Sequence, residues 1–576
     1  MKKLLVYLKP YKKECICAPL FKMLEATFEL FVPLVIASII DVGIAGQDKG
    51  YILQRALILI ALGLIGVICA VTAQYFSAKA ATGFASKLRH ALFEHLQSLF
   101  YTEIDRLGTS TMITRMTSDV NQAQSGVNMT LRLFLRSPFI VFGAMVMAFT
   151  IDFKAALIFV GAIAVLSLIV FLLMYVSVPL MRMVQQQLDS ILGITRENLT
   201  GVRVIRAFGQ EEHERKEFEV RNSALTRIQE AAGRVSALMN PLTYVVINVA
   251  IIFLSWTGAL QVHTGVLTQG QVIALYNYMS QILVELIKFA NLIVTINKAI
   301  ACGNRIADVF EVSSSMQEGK LDLVRKKMEN IPAVEFKHVN LTYQGSSDAS
   351  LEKIHFEAEQ GSVVGIIGGT GSGKTSLVNL IPRFYDATEG VVQVFGQNVK
   401  DYRYDALRKC VSVVPQKAVL FQGTIRENMK FGCEDATDEQ IMEALKTAQA
   451  LDVVEKKGGL DAMIEQGGRN LSGGQRQRLT IARALVSNPG ILILDDSASA
   501  LDYATDAALR ESLRKLPHAP TVFIVSQRAA SIRHADQIIV LDDGQMAGKG
   551  THEELLKSCQ VYQEIYYSQY QKEVHA

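Results

Sequence analysis

The sequence has almost no charge excess: 58 Lys and Arg stand against 55 Asp and Glu, a formal +3 over 576 residues. That balance excludes the broad basic field by which proteins hold nucleic acid, so no nucleic-acid partner is expected. A disulfide framework is also missing. The seven cysteines (Cys15, Cys17, Cys69, Cys302, Cys410, Cys433, Cys559) are odd in number and scattered, and Cys15-x-Cys17 has neither the spacing nor the partners of a zinc site. No cleavable signal peptide is visible. Met1 to Lys13 is instead basic and amphipathic, with Lys2, Lys3, Lys9, Lys12 and Lys13, and reads as a helix lying on the cytoplasmic membrane surface.

What the chain does have is apolar residues, 50% of the total, with a mean hydropathy of +0.24. The excess lies before residue 300. Runs long enough to cross a bilayer, which takes about 20 residues, fall near 15–42, 55–80, 131–151, 155–179, 240–262 and 271–296. The short connections at Gly43 to Gly50, Asp152 to Lys154 and Val262 to Gly270 hold few cations. The long stretches near 81–130 and 180–239 carry many, among them Arg115, Arg182, Arg196, Arg203, Arg206, Arg215, Arg221, Arg227 and Arg234. The positive-inside rule places these long stretches, and both chain ends, in the cytoplasm of a multi-pass protein of the cell membrane. Their helical pattern predicts that the spans continue beyond the bilayer as helices. Four charged residues fall within the spans, Glu25, Glu29, Glu285 and Lys288, and need partners or water there. Glu285 and Lys288 are three apart on one helix and can pair.

The second half reads differently. Val363 to Ile367 is a buried-strand pattern, followed by Gly368-Gly369-Thr370-Gly371-Ser372-Gly373-Lys374-Thr375, which fits G-x-x-x-x-G-K-[ST]. Glycines let backbone N–H groups curl around phosphate oxygens, Lys374 supplies positive charge to the β- and γ-phosphates, and the Thr375 hydroxyl can ligate Mg²⁺. The unbroken run Ile491 to Leu494 predicts a strand buried on both faces, with Asp495 and Asp496 at its C-terminal edge, where a carboxylate can hold Mg²⁺ or a water. Between these motifs lies Leu471-Ser472-Gly473-Gly474-Gln475, ahead of a helix expected from about Gln475 to Leu485.

With that pentapeptide the chain resembles an ATP-binding cassette (ABC) transporter over nearly its whole length. The resemblance implies a six-helix all-α transmembrane domain over 1–311, a linker over 312–332, and over 333–576 an α/β P-loop (RecA-like) cassette with a helical subdomain. In that family two cassettes sandwich two ATP molecules head to tail, each touching the P-loop of one cassette and the LSGGQ signature of the other. The implied ligands are ATP and Mg²⁺, the metal held by Thr375, Gln416 and Asp495. Tyr343, which ends the alternating strand Val334 to Tyr343, matches the residue that stacks on adenine. Gln416, ending the buried strand expected over Val411 to Gln416, matches the loop residue that positions water and senses the membrane domain. Ser499 and Asp502 fall in the D-loop. Two segments, Tyr101 to Asp119 and Arg203 to Glu212, resemble the coupling elements that dock into cassette grooves.

Two positions depart from the family pattern. Asp496 stands where a glutamate is expected to act as general base, and Gln527 where a histidine is expected. Aspartate is one methylene shorter, and a misplacement of about 1 Å can cost around 10²-fold in rate. Glutamine cannot carry the charge or proton of a histidine. The resemblance is therefore to the degenerate-site subunit of bacterial heterodimeric multidrug exporters. The expected partner is a second half-transporter carrying the glutamate and histidine and using the intact Leu471 to Gln475 of this chain. A hydrophobic drug-like or lipid-like substrate follows by analogy. A metal-chelate importer of the same fold and a non-transporting ATP-binding regulator are the alternatives.

Overall fold

The computed structural model describes residues 1–322, 331–497, 499–516 and 519–570. They form two compact units, residues 1–97 with 110–312, and residues 98–109 with 313–576.

The first unit contains six helical passages long and apolar enough to cross a membrane: Lys3–Ile44, Lys49–Ser98, Thr109–Ile151, Phe153–Thr200, Glu211–His263 and Gln269–Glu311. Each contains one of the six expected spans. Their main α-helices are Lys12–Ser38 (α1), Lys49–Ser98 (α2), Val120–Leu133 (α3), Arg136–Ile151 (α4), Phe153–Thr200 (α5), Glu211–Ala237 (α6), Met239–His263 (α7) and Gln269–Glu311 (α8). With 50 residues, α2 is about 75 Å long, more than twice a hydrocarbon core of about 30 Å. The spans therefore do run on as helices.

Short connections are fixed by caps. Asp152 caps α5 by accepting from the Ala155 N–H at 2.7 Å, and takes a second bond from the Gln261 amide at 3.0 Å. Asp41 accepts from the Thr268 hydroxyl and from the Gly270 N–H, tying the end of the first passage to the start of α8. Small residues let the helices approach closely. At Gly126 on α3 a Cβ would lie 2.1 Å from the Ala299 Cβ of α8, and Ala144, Ala148, Ala155, Ala156 and Ala274 fill the core with Phe159, Tyr278 and Ile282. The N-terminal segment Lys2–Tyr11 is helical, as expected, but it does not only face a membrane surface. Leu4 is buried, the Met1 amine donates to Asn304 at 2.6 Å, and Lys3 pairs with Glu311 at 2.6 Å, so this segment leans on the last turns of α8.

The second unit holds two main sheets. Val334–Leu341 (β1), Leu351–Ala358 (β2), Glu389–Val394 (β4) and Gln397–Asn398 (β5) make an antiparallel sheet in the order β2-β1-β4-β5. Val363–Gly368 (β3), Val411–Val414 (β6), Ile491–Asp495 (β9), Thr521–Val525 (β10), Gln537–Asp542 (β11) and Gln545–Gly550 (β12) make the second, in the order β12-β11-β3-β10-β9-β6. All its pairings are parallel except β11 with β12. Gly423–Thr424 (β7) and Met463–Ile464 (β8) form a small separate ladder. Every residue of β9 and β10 is buried, which is why their sequences are continuously apolar rather than alternating. Lys374–Asn379 (α9) follows β3, Gly473–Val486 (α10) precedes β9 and Tyr503–Arg514 (α11) follows it, with Gln560–Gln569 (α12) near the C-terminus. Ile441, Leu445, Val453 and Leu479 give the expected helical subdomain its core.

The packing revises the expected boundaries in two places. Residues 98–109 join the cassette rather than the membrane unit: Tyr101 stacks on Phe384 with centroids 4.6 Å apart, Phe100 lies 4.6 Å from Tyr404, and Asp105 accepts from the Tyr385 hydroxyl at 2.6 Å. Residues 323–330 of the expected linker lie outside the described residues. Just before them Lys320 and Leu321 bond to the Asp401 carbonyl and Arg403 bonds back to Leu321, so this part of the linker is strapped to the cassette. The second expected coupling segment stays in the first unit, with Phe208 75% exposed.

Candidate functional site

Three parallel strands end at one place. β3 pairs with β10 and β10 with β9, so the loops leaving their C-terminal edges converge, as expected of a doubly wound sheet. A cleft of about 250 Å³ opens there, lined by Thr370 to Ser376, Gln416, Asp495, Asp496 and Gln527, together with Ser350, Val525 and Ser526.

The P-loop runs from β3 into α9 and needs its glycines where the backbone is tightest. Gly371 and Gly373 have φ of +84° and +89°, the left-handed region that favours glycine. At Gly368 a Cβ would meet the Leu541 carbonyl at 2.1 Å. Lys374 turns its ammonium onto the loop, donating to the Gly368 and Gly369 carbonyls and to the Ser372 hydroxyl. Burial lowers its pKa, against the pull of Asp496 and Asp495. Among the described residues no carboxylate bonds to it, which suits it to an incoming polyphosphate.

Thr375 and Asp495, 120 positions apart, meet: the hydroxyl donates to the two carboxylate oxygens at 3.1 and 3.0 Å. Burial raises the Asp495 pKa above the usual carboxylate range, partly offset by the Thr375 bond, while the neighbouring Asp496 charge raises it further. A hydroxyl, a carboxylate and the Gln416 amide in one cleft are hard oxygen donors that fit Mg²⁺. Bound there, Mg²⁺ would neutralise phosphate charge; Thr375, Gln416 and Asp495 are the residues that would hold it.

Asp496 follows β9 with φ of +44°, a conformation aspartate tolerates better than most residues. Its carboxylate accepts from the Gln416 amide at 3.3 Å. Its backbone N–H bonds to the Val525 carbonyl, and its carbonyl accepts from Ser499. Gln527 contributes a neutral amide to the same cleft.

Tyr343 does not line the cleft. It is half-buried beside α9, its hydroxyl donating to Ser376 at 3.0 Å and its ring edge-on to Tyr385 at 5.0 Å. The signature is elsewhere too. Ser472 caps α10, which begins at Gly473, two residues earlier than expected; the Ser472 hydroxyl accepts from the Gln475 N–H, and the Gln475 side chain accepts from the Ser472 N–H at 2.9 Å. Leu471 is buried beneath this turn, Ser472 and Gly473 are exposed, and Gly474 is half-exposed. None of Leu471 to Gln475 faces the cleft of its own chain. Asp502 caps α11 by accepting from the Thr505 N–H at 3.0 Å.

Two residues escape sequence reading. Arg528 donates to the Ser499 carbonyl at 3.2 Å, linking the Gln527 turn to the D-loop. Gln569 on α12 donates to the Gln527 carbonyl at 2.7 Å and accepts from the Ala529 N–H at 2.9 Å. Adjacency to Gln527 points to Arg528; nothing in the sequence points to Gln569.

Comparison with known proteins agrees with this geometry. Residues 15–286 match the family described as ABC transporter transmembrane region, and residues 351–499 the family described as ABC transporter. An uncharacterised ABC transporter ATP-binding protein of Mycobacterium tuberculosis is 34% identical over 98% of this chain and 97% of its own length.

The chain belongs to the ABC transporter family.

The uncharacterised ABC transporter ATP-binding protein YfiB of Bacillus subtilis is also 34% identical, over 100% of this chain and 99% of its own. An ATP-dependent lipid A-core flippase of Yersinia pestis is 27% identical, over 97% and 96%. A solved bacterial Atm1-family ABC exporter with ATP bound superposes with a TM-score of 0.80, covering 98% of this chain and 99% of that one at 22% identity. The transporter therefore has the exporter fold, with six membrane-spanning helices and an ATP-binding cassette.

Proposed function

We propose that this transporter is the hydrolysis-impaired half of a heterodimeric exporter. It holds ATP on its own P-loop with Mg²⁺ and completes, with Ser472 to Gln475, the hydrolytic site of a partner half. One observation carries the reading: the acid after β9 is an aspartate held by the Gln416 amide, opposite a glutamine in place of an ionisable group.

A general base must come within about 2.6–3.2 Å of the attacking water. Asp496 is shorter than glutamate and is engaged elsewhere, and Gln527 donates a hydrogen bond but no charge. Binding needs neither, because the P-loop N–H groups, Lys374 and the Thr375–Asp495 pair remain intact. Tyr343 is the residue we assign to the adenine face, reached by a rotation away from Ser376.

The signature supports the two-chain reading. It is intact, capped and open to solvent, yet faces away from its own cleft. A self-paired chain would hold two impaired sites, whereas a partner with glutamate and histidine would hold one competent site finished by this chain. The exposed Phe208 and the stacked, exposed pair Phe421 and Phe431 on the cassette are apolar surfaces of the kind that such pairing covers. With the long cation-rich stretches inside, the cassette lies in the cytoplasm, and closure on ATP would open the membrane helices outward. The cargo class is drug-like or lipid-like amphiphiles.

The test is ATPase activity. The purified chain alone should turn over at least about 10-fold more slowly than the co-expressed pair, and replacing the partner's glutamate by glutamine should remove nearly all activity. Brisk hydrolysis by the chain paired only with itself would overturn the reading.

A further inference from the structure

Six charged side chains meet inside the membrane-spanning unit. Glu285 on α8 is the centre: one carboxylate oxygen accepts from Arg136 at 2.7 Å and from Lys288 at 2.9 Å, and the other from the Ser137 hydroxyl at 2.8 Å. Arg136 on α4 turns its second amino group to Glu29 on α1 at 2.7 Å. Glu25 lies 3.8 Å from the same group and itself pairs with Lys22 at 2.5 Å.

Depth makes this cluster unusual. Glu29, Arg136 and Glu285 each sit about four helical turns from the ends of their passages at Ile44, Ile151 and Gln269, about 22–24 Å along the helix. Measured from those ends, that is inside a hydrocarbon core of about 30 Å but toward its opposite boundary. The Glu285 and Arg136 side chains are only 3% and 8% exposed, as a buried pair should be, but Glu29 and Lys288 are 42% and 46% exposed. A charge facing hydrocarbon costs about 2.5–3.5 kcal/mol on insertion scales. That cost favours placing the open sides of Glu29 and Lys288 on the interior side of the helices and not toward lipid.

The signs select the ligand. Lys22, Arg136 and Lys288 balance Glu25, Glu29 and Glu285, so the cluster has no net attraction for a simple ion. A cationic head gains at Glu29 and is repelled at Lys288; an anionic head meets the reverse. A head carrying both charges gains at both ends, because only the Glu285 carboxylate and the Arg136 guanidinium separate them. Among the described residues the Arg136 Nε is buried with no hydrogen-bond partner, so the floor is closed to the ligand and recognition rests on Glu29 and Lys288.

We propose that Glu29 and Lys288 form a binding site for the head of a zwitterionic amphiphile, with the buried Arg136–Glu285 pair as its rigid floor. This deepens the cargo class named above and rests on that reading only for the direction of transport.

The test is calorimetric titration of the assembled transporter in nanodiscs, without nucleotide, using three ligands with the same ten-carbon tail: decylphosphocholine, decyltrimethylammonium and decanoate. Decylphosphocholine should bind at least about 10-fold more tightly than either. Glu29→Gln should shift the preference toward decanoate, Lys288→Met toward decyltrimethylammonium, and the double variant should bind all three alike. The exchange of Glu29→Lys with Lys288→Glu keeps both charges and should keep the zwitterion preference, which separates loss of recognition from loss of fold. Equal affinity for the three ligands in the parent protein, or a zwitterion preference that survives the double variant, would overturn the proposal. Because no ATP is present, binding without ATP-driven transport would sink the export reading and leave this one standing.

Discussion

At the scale of single residues, the proposed function turns on one methylene and one ring. If Asp496 and Gln527 are what slow this site, the double variant Asp496→Glu with Gln527→His should raise the ATPase rate of the chain alone by about 10- to 100-fold, the range a correction of about 1 Å allows. Asp496→Glu alone should recover less. A second expectation follows from Asp495, whose pKa burial raises. Mg²⁺ held there as proposed would need the ionised carboxylate, so proton and metal would compete. Mg²⁺-dependent ATP affinity should be full at neutral pH and fall as pH drops, beginning above the ordinary aspartate value of about 3.9. Asp495→Asn should weaken Mg²⁺ binding and flatten that profile, as read by titration of Mg²⁺ at fixed ATP. These residues were legible in sequence because each belongs to a short motif whose chemistry is local. The Gln569 clamp on the Gln527 turn was not, since it reaches across 42 positions with no pattern to announce it.

At the scale of elements, helix contacts depend on what is small. α3 lies against α8 because Gly126 leaves room for Ala299. Gly126→Leu inserts bulk where a single Cβ already collides, and should lower stability by about 1–3 kcal/mol, seen as a drop in melting temperature in detergent; Gly63→Leu, where a Cβ meets nothing, should leave it unchanged. The spans could be read from apolar runs because a bilayer imposes both a length and a composition. Their helical extensions followed from the continuing pattern, but the contact partners did not, since periodicity gives a face and not what that face meets. Arg136 shows the difference. Spacing offered Lys288 as the partner of Glu285, while a residue 149 positions away supplies a shorter bond.

At the scale of the whole molecule, residues 98–109 belong by packing to the cassette although by sequence they continue from α2. Tyr101 against Phe384 and Asp105 against Tyr385, which in turn meets Tyr343, form a continuous contact from this segment to the residue assigned to adenine. Tyr101→Ala should reduce substrate-stimulated ATPase of the assembled pair several-fold while leaving nucleotide affinity within about twofold, as measured by ATPase titration with and without a transported amphiphile. Equal loss of affinity would show instead that the cassette itself was damaged.

The sequence by itself determined the six spans, the P-loop, the buried strand that ends at Asp495 and the two departures at Asp496 and Gln527. Each depends on neighbours a few positions apart, and hydrophobic period and phosphate chemistry are written at that range. The fold alone decided which distant groups share a cleft. Parallel pairing of β3, β10, β9 and β6 brings Thr375 to Asp495 and Gln416 to Asp496, and leaves the signature off the lining of its own cleft, because side-chain proximity is set by how strands and helices pack and not by their order along the chain.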